Sequence, residues 1–193
     1  MVRLAIMKIK NLLFIPAAMM VTLASCGGGD IDVSSPEAAN FSSGQVKIDG
    51  KWEDVTLYKH EPFSGKTVEY KGQNVHETEE YVDGKKHGES CDYDYLGRLT
   101  RLVTYEKGEQ TGPCEGYYEE KNELEKMSEE DLPLQYEGNL TDGERTGKWV
   151  FYKPDGEVLE TVEDIESLKD EKKYKLRERI YKLEEKFSKS RKK

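Results

Sequence analysis

Two hydrophobic periods divide the chain. Between residues 45 and 159, apolar and aromatic positions alternate with polar ones in short runs broken by Gly, Asn and Asp, the pattern of half-buried β-strands joined by tight turns. Val68 shares a parity with Tyr70, Cys91 with Tyr93, and Val150 with Tyr152, so one face of each strand is less polar than the other. From Thr161 the spacing becomes helical: Val162, Ile165 and Leu168 are followed by Leu176, Ile180, Leu183 and Phe187.

The strand region repeats itself. A Gly is followed five places later by Tyr at Gly65 and Tyr70, Gly88 and Tyr93, Gly112 and Tyr117, and Gly147 and Tyr152. The glycines are 23, 24 and 35 residues apart, and the last interval becomes regular if about a dozen residues are an insertion. Gly84, Gly108 and Gly143 each stand four residues before a repeat Gly. Asn74, Gly97 and Gly156, four residues after the repeat Tyr, mark a second set of turns. Each unit therefore reads as a β-hairpin, and the units together as an elongated meander of stacked hairpins. Ahead of them, residues 45–58 form one more hairpin about Asp49-Gly50, expected to cap the open sheet edge. The segment 119–133, with seven acidic residues against two lysines, is the insertion, a solvated helix or loop.

At the N-terminus, Arg3, Lys8 and Lys10 lead into the apolar run 11–24, too short to span a bilayer, and the run ends in "LASC", Leu23 to Cys26. This resembles a bacterial lipoprotein signal, which implies cleavage after residue 25, lipidation (palmitate included) of Cys26, and a place in the cell envelope. By the same resemblance, Gly27 after the cysteine implies the outer membrane. Residues 26–44 are rich in Gly, Ser and Asp and are expected to be a flexible tether. The resulting organisation is signal peptide 1–25, tether 26–44, repeat domain 45–159 and a charged amphipathic helix 160–193.

Charge sharpens this picture. The chain carries −9 overall, yet residues 169–193 hold twelve Lys or Arg against five Asp or Glu, leaving −16 on the remainder. An acidic body lacks the clustered basic surface that nucleic acid requires. The basic helix would serve as a strap on the sheet, a seam for self-association, or a contact with anionic headgroups.

The stretches 87–112 ("HGESCDYDYLGRLTRLVTYEKGEQTG") and 146–158 ("TGKWVFYKPDGEV") resemble MORN-repeat variant modules of the YwqK type, some of which carry an antitoxin label. The likeness covers residues 58–159; Asn74 replaces a mid-repeat Gly in the first unit and Lys121 replaces it in the third. It implies a mainly β scaffold associated with proteins or membranes, and no particular activity.

Candidate chemistry is sparse. His60, His76 and His87 have no zinc-ligand spacing, and "DYDYLG" from Asp92 lacks an oxygen ligand at Leu96 and the closing Glu at Val103. No cofactor or metal is expected. Cys91 and Cys114 differ in parity relative to their tyrosines, so ideal strands would place them on opposite faces; only a bulge, which Pro113 suggests, would let them pair. The expectation is a non-enzymatic module in which Tyr70, Tyr93, Tyr117, Trp149 and Tyr152 offer a surface to a protein or glycan, or else stack as core. The alternatives are an enzyme with a site assembled across repeats and an antitoxin-like inhibitor.

Overall fold

A computed structural model describes residues 30–48, 50–119 and 131–190. The expected signal peptide, Cys26 and most of the acidic insertion lie outside the described residues. Within them the chain is mainly β with one C-terminal helix, as the two periods imply.

Nine strands form one sheet: β1 (Ile31–Asp32), β5 (Gly65–Lys71), β6 (Asn74–Val82), β7 (Lys85–Tyr93), β8 (Leu99–Glu106), β9 (Glu109–Tyr117), β10 (Leu134–Thr141), β11 (Glu144–Tyr152) and β12 (Val158–Val162). From β5 to β12 the spatial order is the chain order, so every neighbour is an antiparallel hairpin partner. β2 (Phe41–Ile48), β3 (Lys51–Tyr58) and β4 (Glu61–Pro62) make a separate three-stranded sheet.

The turns explain the repeat. Asp83-Gly84, Lys107-Gly108 and Asp142-Gly143 each have positive φ at both residues, the two-residue turn whose twist matches a hairpin. Each also ties its hairpin to the preceding unit. The amides of Gly84, Gly108 and Gly143 donate to the carbonyls of Phe63, Lys86 and Gln110, at 2.7, 2.8 and 3.0 Å. One residue earlier in each turn, the amides of Asp83, Lys107 and Asp142 donate to Ser64 Oγ, His87 Nδ1 and Thr111 Oγ1. Phe63, Lys86 and Gln110 lie two residues before a repeat Gly, and Ser64, His87 and Thr111 one before it. The repeat thus encodes its own stacking bonds as well as its turns, and His87 is one of the acceptors.

Several expectations change. The hairpin of β2 and β3 does not extend the large sheet. Its middle grips the Gly84 turn instead, with the Thr56 amide donating to Gly84 O at 2.8 Å. The edge of β5 is covered by β1, which pairs parallel with Thr67 and Val68. Residues from Ile31 onward are therefore structured, although 26–44 reads as tether. Ser35 caps a 3-10 helix at Pro36–Asn40 by accepting from the Glu37 amide, and Phe41 packs 5.1 Å from Phe63. A few apolar anchors suffice where a sheet edge needs covering. In the first unit the positive φ falls at Gly72, and Asn74 begins β6.

At the other end the sheet continues to Val162, and helix α1 spans Asp170–Ser190 rather than starting near 160. Its apolar stripe faces the sheet. Leu176 is buried with Val103, Cys114, Leu140, Trp149, Phe151, Val162 and Ile165 in the main core, and Ile180 and Leu168 pack against it. Phe187 lies 5.6 Å from Tyr118, and the Ser188 hydroxyl donates to Glu119 O at 3.4 Å. The helix is a strap, and the positions that would form a self-association seam are turned inward.

Candidate functional site

Cross-strand register sorts the side chains onto two faces. On one, Cys114 opposes Val103, Tyr136 opposes Phe151, and Trp149 opposes Val162; this is the core face beneath α1. On the other, Val68, Thr78, Cys91, Leu102, Glu115, Glu137 and Val150 form one continuous cross-strand row. The small sheet and β1 also meet the core face, where Phe41, Thr56 and Val33 surround a hollow with Glu69, Glu77 and Glu79. Among the described residues no further strand or helix packs on the opposite face.

The five aromatic candidates separate accordingly. Trp149 is 0% exposed and lies at the centre of the core, so it belongs to no surface. It sits two residues after its repeat Gly, the position held by Cys114, whereas the tyrosines sit five after theirs. Tyr93, Tyr117 and Tyr152 stand on β7, β9 and β11 of the open face, one per hairpin and about 10 Å apart by two strand spacings. Tyr93 bonds with Cys91 and Thr78. The Tyr117 hydroxyl donates to Glu115 at 2.6 Å, and the Tyr152 hydroxyl to Glu137 at 2.5 Å. Glu115 and Glu137 oppose each other directly across β9 and β10, so these two donors offset a like-charge pair. Burial, then the bond to Glu137, pushes the Tyr152 phenol up to about 12, and burial followed by Glu115 raises Tyr117 as well. Both rings stay neutral hydrogen-bond donors at any physiological pH. Tyr70 is 40% exposed on β5, at the far end, and its amide donates to Ser34 Oγ.

Sequence reasoning missed Tyr118. Beside the repeat Tyr117, it is 0% exposed, donates to Tyr152 O at 2.8 Å, and closes the base of the insertion where its amide meets Pro133 O. A doubled Tyr just before an insertion was the available signal.

The parity of the cysteines holds. Cys91 faces the open side and Cys114 the core, both are buried, and no disulfide joins them. Burial raises both thiols above their ordinary range. Neither is expected to react with a thiol reagent in the folded chain near neutral pH, and both are expected to titrate once it is denatured without reductant; a missing pair of thiols would reveal a bridge.

On the core face, Glu77 stands between Glu69 and Asp92 in a cross-strand row, with Glu79 two residues along. Burial, then Glu79 and Asp92, push its carboxyl up to about 6, while Lys86 pulls the other way. Lys86 pairs with Glu79, which also accepts from the Tyr81 hydroxyl. Because the folded value exceeds the ordinary 4.5, the native state favours the protonated acid. Its contribution to stability is full below pH 4.5 and lost as pH rises through about 6. Glu77→Gln is therefore expected to raise the melting temperature near neutral pH and leave it unchanged in acid; equal shifts at both would exclude the carboxylate cluster as the cause.

Among the described residues no group of His, Cys, Asp and Glu is arranged to hold a metal ion, and no helix is long and apolar enough to cross a membrane. No protein-family model matches the chain, and no curated protein matches it.

Proposed function

We propose that the chain is a non-catalytic binding module of the bacterial envelope, held by lipid on Cys26, whose open sheet face docks an extended glycan strand. The observation that carries this reading is the row Tyr93, Tyr117 and Tyr152 on alternate strands, with Glu115 and Glu137 between. Aromatic faces stack against the C–H faces of sugar rings, and carboxylates and phenols supply acceptors and donors for sugar hydroxyls. Rings about 10 Å apart across the sheet suit a partner with a repeat on the scale of a disaccharide. The "LASC" signal and the resemblance to MORN-type scaffolds support the envelope setting.

The test is co-sedimentation of the full chain with insoluble glycan polymers, cell-wall sacculi and chitin among them. Tyr117→Ala and Tyr152→Ala are each expected to weaken retention about three- to tenfold, the worth of one stacked ring. Unchanged retention in both variants, or a captured protein with no glycan bound, would overturn the assignment.

A further inference from the structure

Sheet edges present unpaired backbone donors and acceptors, and among the described residues this chain covers or blunts every long edge but one. β1 pairs with β5, and Ser34 Oγ accepts from the Tyr70 amide further along that edge. At the far end of the large sheet, Arg179 of α1 bonds to Glu160 at 2.6 Å and to the Leu159 carbonyl at 3.2 Å along β12. In the small sheet, β4 is two residues long and ends in Pro62. The stretch of β3 beyond β4 and the Gly84 turn carries Lys51, Glu53 and Asp54. β2 is different. It is eight residues long, lies at the edge of its sheet, and follows a run from Ala38 to Val46 without one charged residue, in a chain of which 36% is charged.

The phase of the ladder decides which groups face outward. The Lys59 amide donates to Asn40 O, so the bonded pairs between β2 and β3 are Ser42 with Leu57, Gly44 with Val55, Val46 with Glu53 and Ile48 with Lys51. The amides and carbonyls of Ser43, Gln45 and Lys47 therefore point away from β3, and all three residues are exposed. A second β2 laid antiparallel on this edge, about a two-fold axis at Gln45, pairs every one of them: Gln45 with Gln45, and Ser43 with Lys47 in both directions. No like charges are opposed, because the one cation of the strand faces a serine. On the other face Val46 of the second copy comes opposite Gly44, where a Cβ would stand 2.5 Å from Leu57 Cδ1. The missing side chain leaves Leu57 there as an apolar seat for that valine. A foreign strand would need its own match to this edge; a second copy carries it.

We propose that β2 is the interface through which two copies of this chain join edge to edge, merging their three-stranded sheets. Sedimentation equilibrium of the full chain in density-matched detergent, with micelles in excess of protein, is expected to show a reversible micromolar dimer. Ser43→Lys sets a cation against Lys47 of the other copy, twice per dimer, and Ser43→Glu sets an anion there. The dissociation constant is expected to rise about three- to tenfold in the first variant and to fall by a similar factor in the second, both changes shrinking in high salt. Gln45→Pro removes one outward N–H per copy and leaves the ladder to β3 whole, so it is expected to weaken the dimer at least about tenfold while the dilute monomer melts much as before. Should Gln45→Pro unfold, the opposite signs of the two Ser43 variants, at an exposed side chain, still decide. A chain that stays monomeric at millimolar concentration, an assembly that grows beyond two, a dimer that responds alike to both Ser43 variants, or one undiminished in a folded Gln45→Pro would overturn the pairing.

Discussion

Gly84→Ala is expected to destabilise the domain by about 3–4 kcal/mol, while Gly143→Ala at the equivalent turn costs only about 1 kcal/mol. The two glycines share a backbone, with φ of +79° and +82°, so the strain of placing a Cβ in the left-handed region is common to both. Their surroundings differ. A methyl at Gly143 would meet nothing within 4 Å, whereas at Gly84 it would lie 2.6 Å from Val55 Cβ and 2.7 Å from Thr56 O. To relieve that overlap the turn must leave the small sheet, losing the Thr56 N–H to Gly84 O bond and the Gly84 N–H to Phe63 O bond, each worth about 1 kcal/mol.

The consequence reaches beyond the turn. Phe63 stacks with Phe41, Tyr58 and Tyr81 at centroid distances of 5.1 to 5.9 Å, and this cluster is the apolar contact that seats the small sheet on the large one. Urea midpoints at constant slope for the parent, Gly84→Ala and Gly143→Ala read the difference directly. Equal losses would mean that the Gly84 turn is not a docking point.

Much of this architecture was legible because β-structure writes its faces into parity. The offsets of the tyrosines and glycines gave the meander, and the same counting placed Cys91 and Cys114 on opposite faces. Applied to Trp149, two residues after its Gly like Cys114, it would have assigned that ring to the core. Composition misled instead: residues 26–44 look too polar to fold, yet β1 needs only backbone pairing and a few contacts to cover an edge. Long-range geometry was not legible at all. Nothing local says that α1 folds back onto the sheet to bury Leu176 with Trp149 and Phe151, or that Ser64, His87 and Thr111 accept from turns roughly twenty to thirty residues downstream.

Trp149→Ala is expected to be the most damaging single truncation, at about 3–5 kcal/mol for a fully buried aromatic ring. The indole packs 5.8 Å from Tyr136 and 6.3 Å from Phe151, carries Arg145 on its face, and donates from Nε1 to Thr146 O at 3.2 Å. It also lies directly over Gly138, where an added methyl would overlap the ring. Gly138→Ala is thus expected to cost about 1–3 kcal/mol by overpacking, in spite of the ordinary strand conformation there. The two effects share one cause, so they cannot add. With the indole gone, the methyl occupies vacated space, and Gly138→Ala in the Trp149→Ala background should be nearly neutral or mildly stabilising. A double-mutant cycle on unfolding free energies should therefore give a coupling of about 1–3 kcal/mol. Because Leu176 belongs to the same core, helical circular dichroism should be lost together with the sheet in Trp149→Ala. Additive losses would show that the ring does not rest on Gly138 and would remove the basis for placing Arg145 above it.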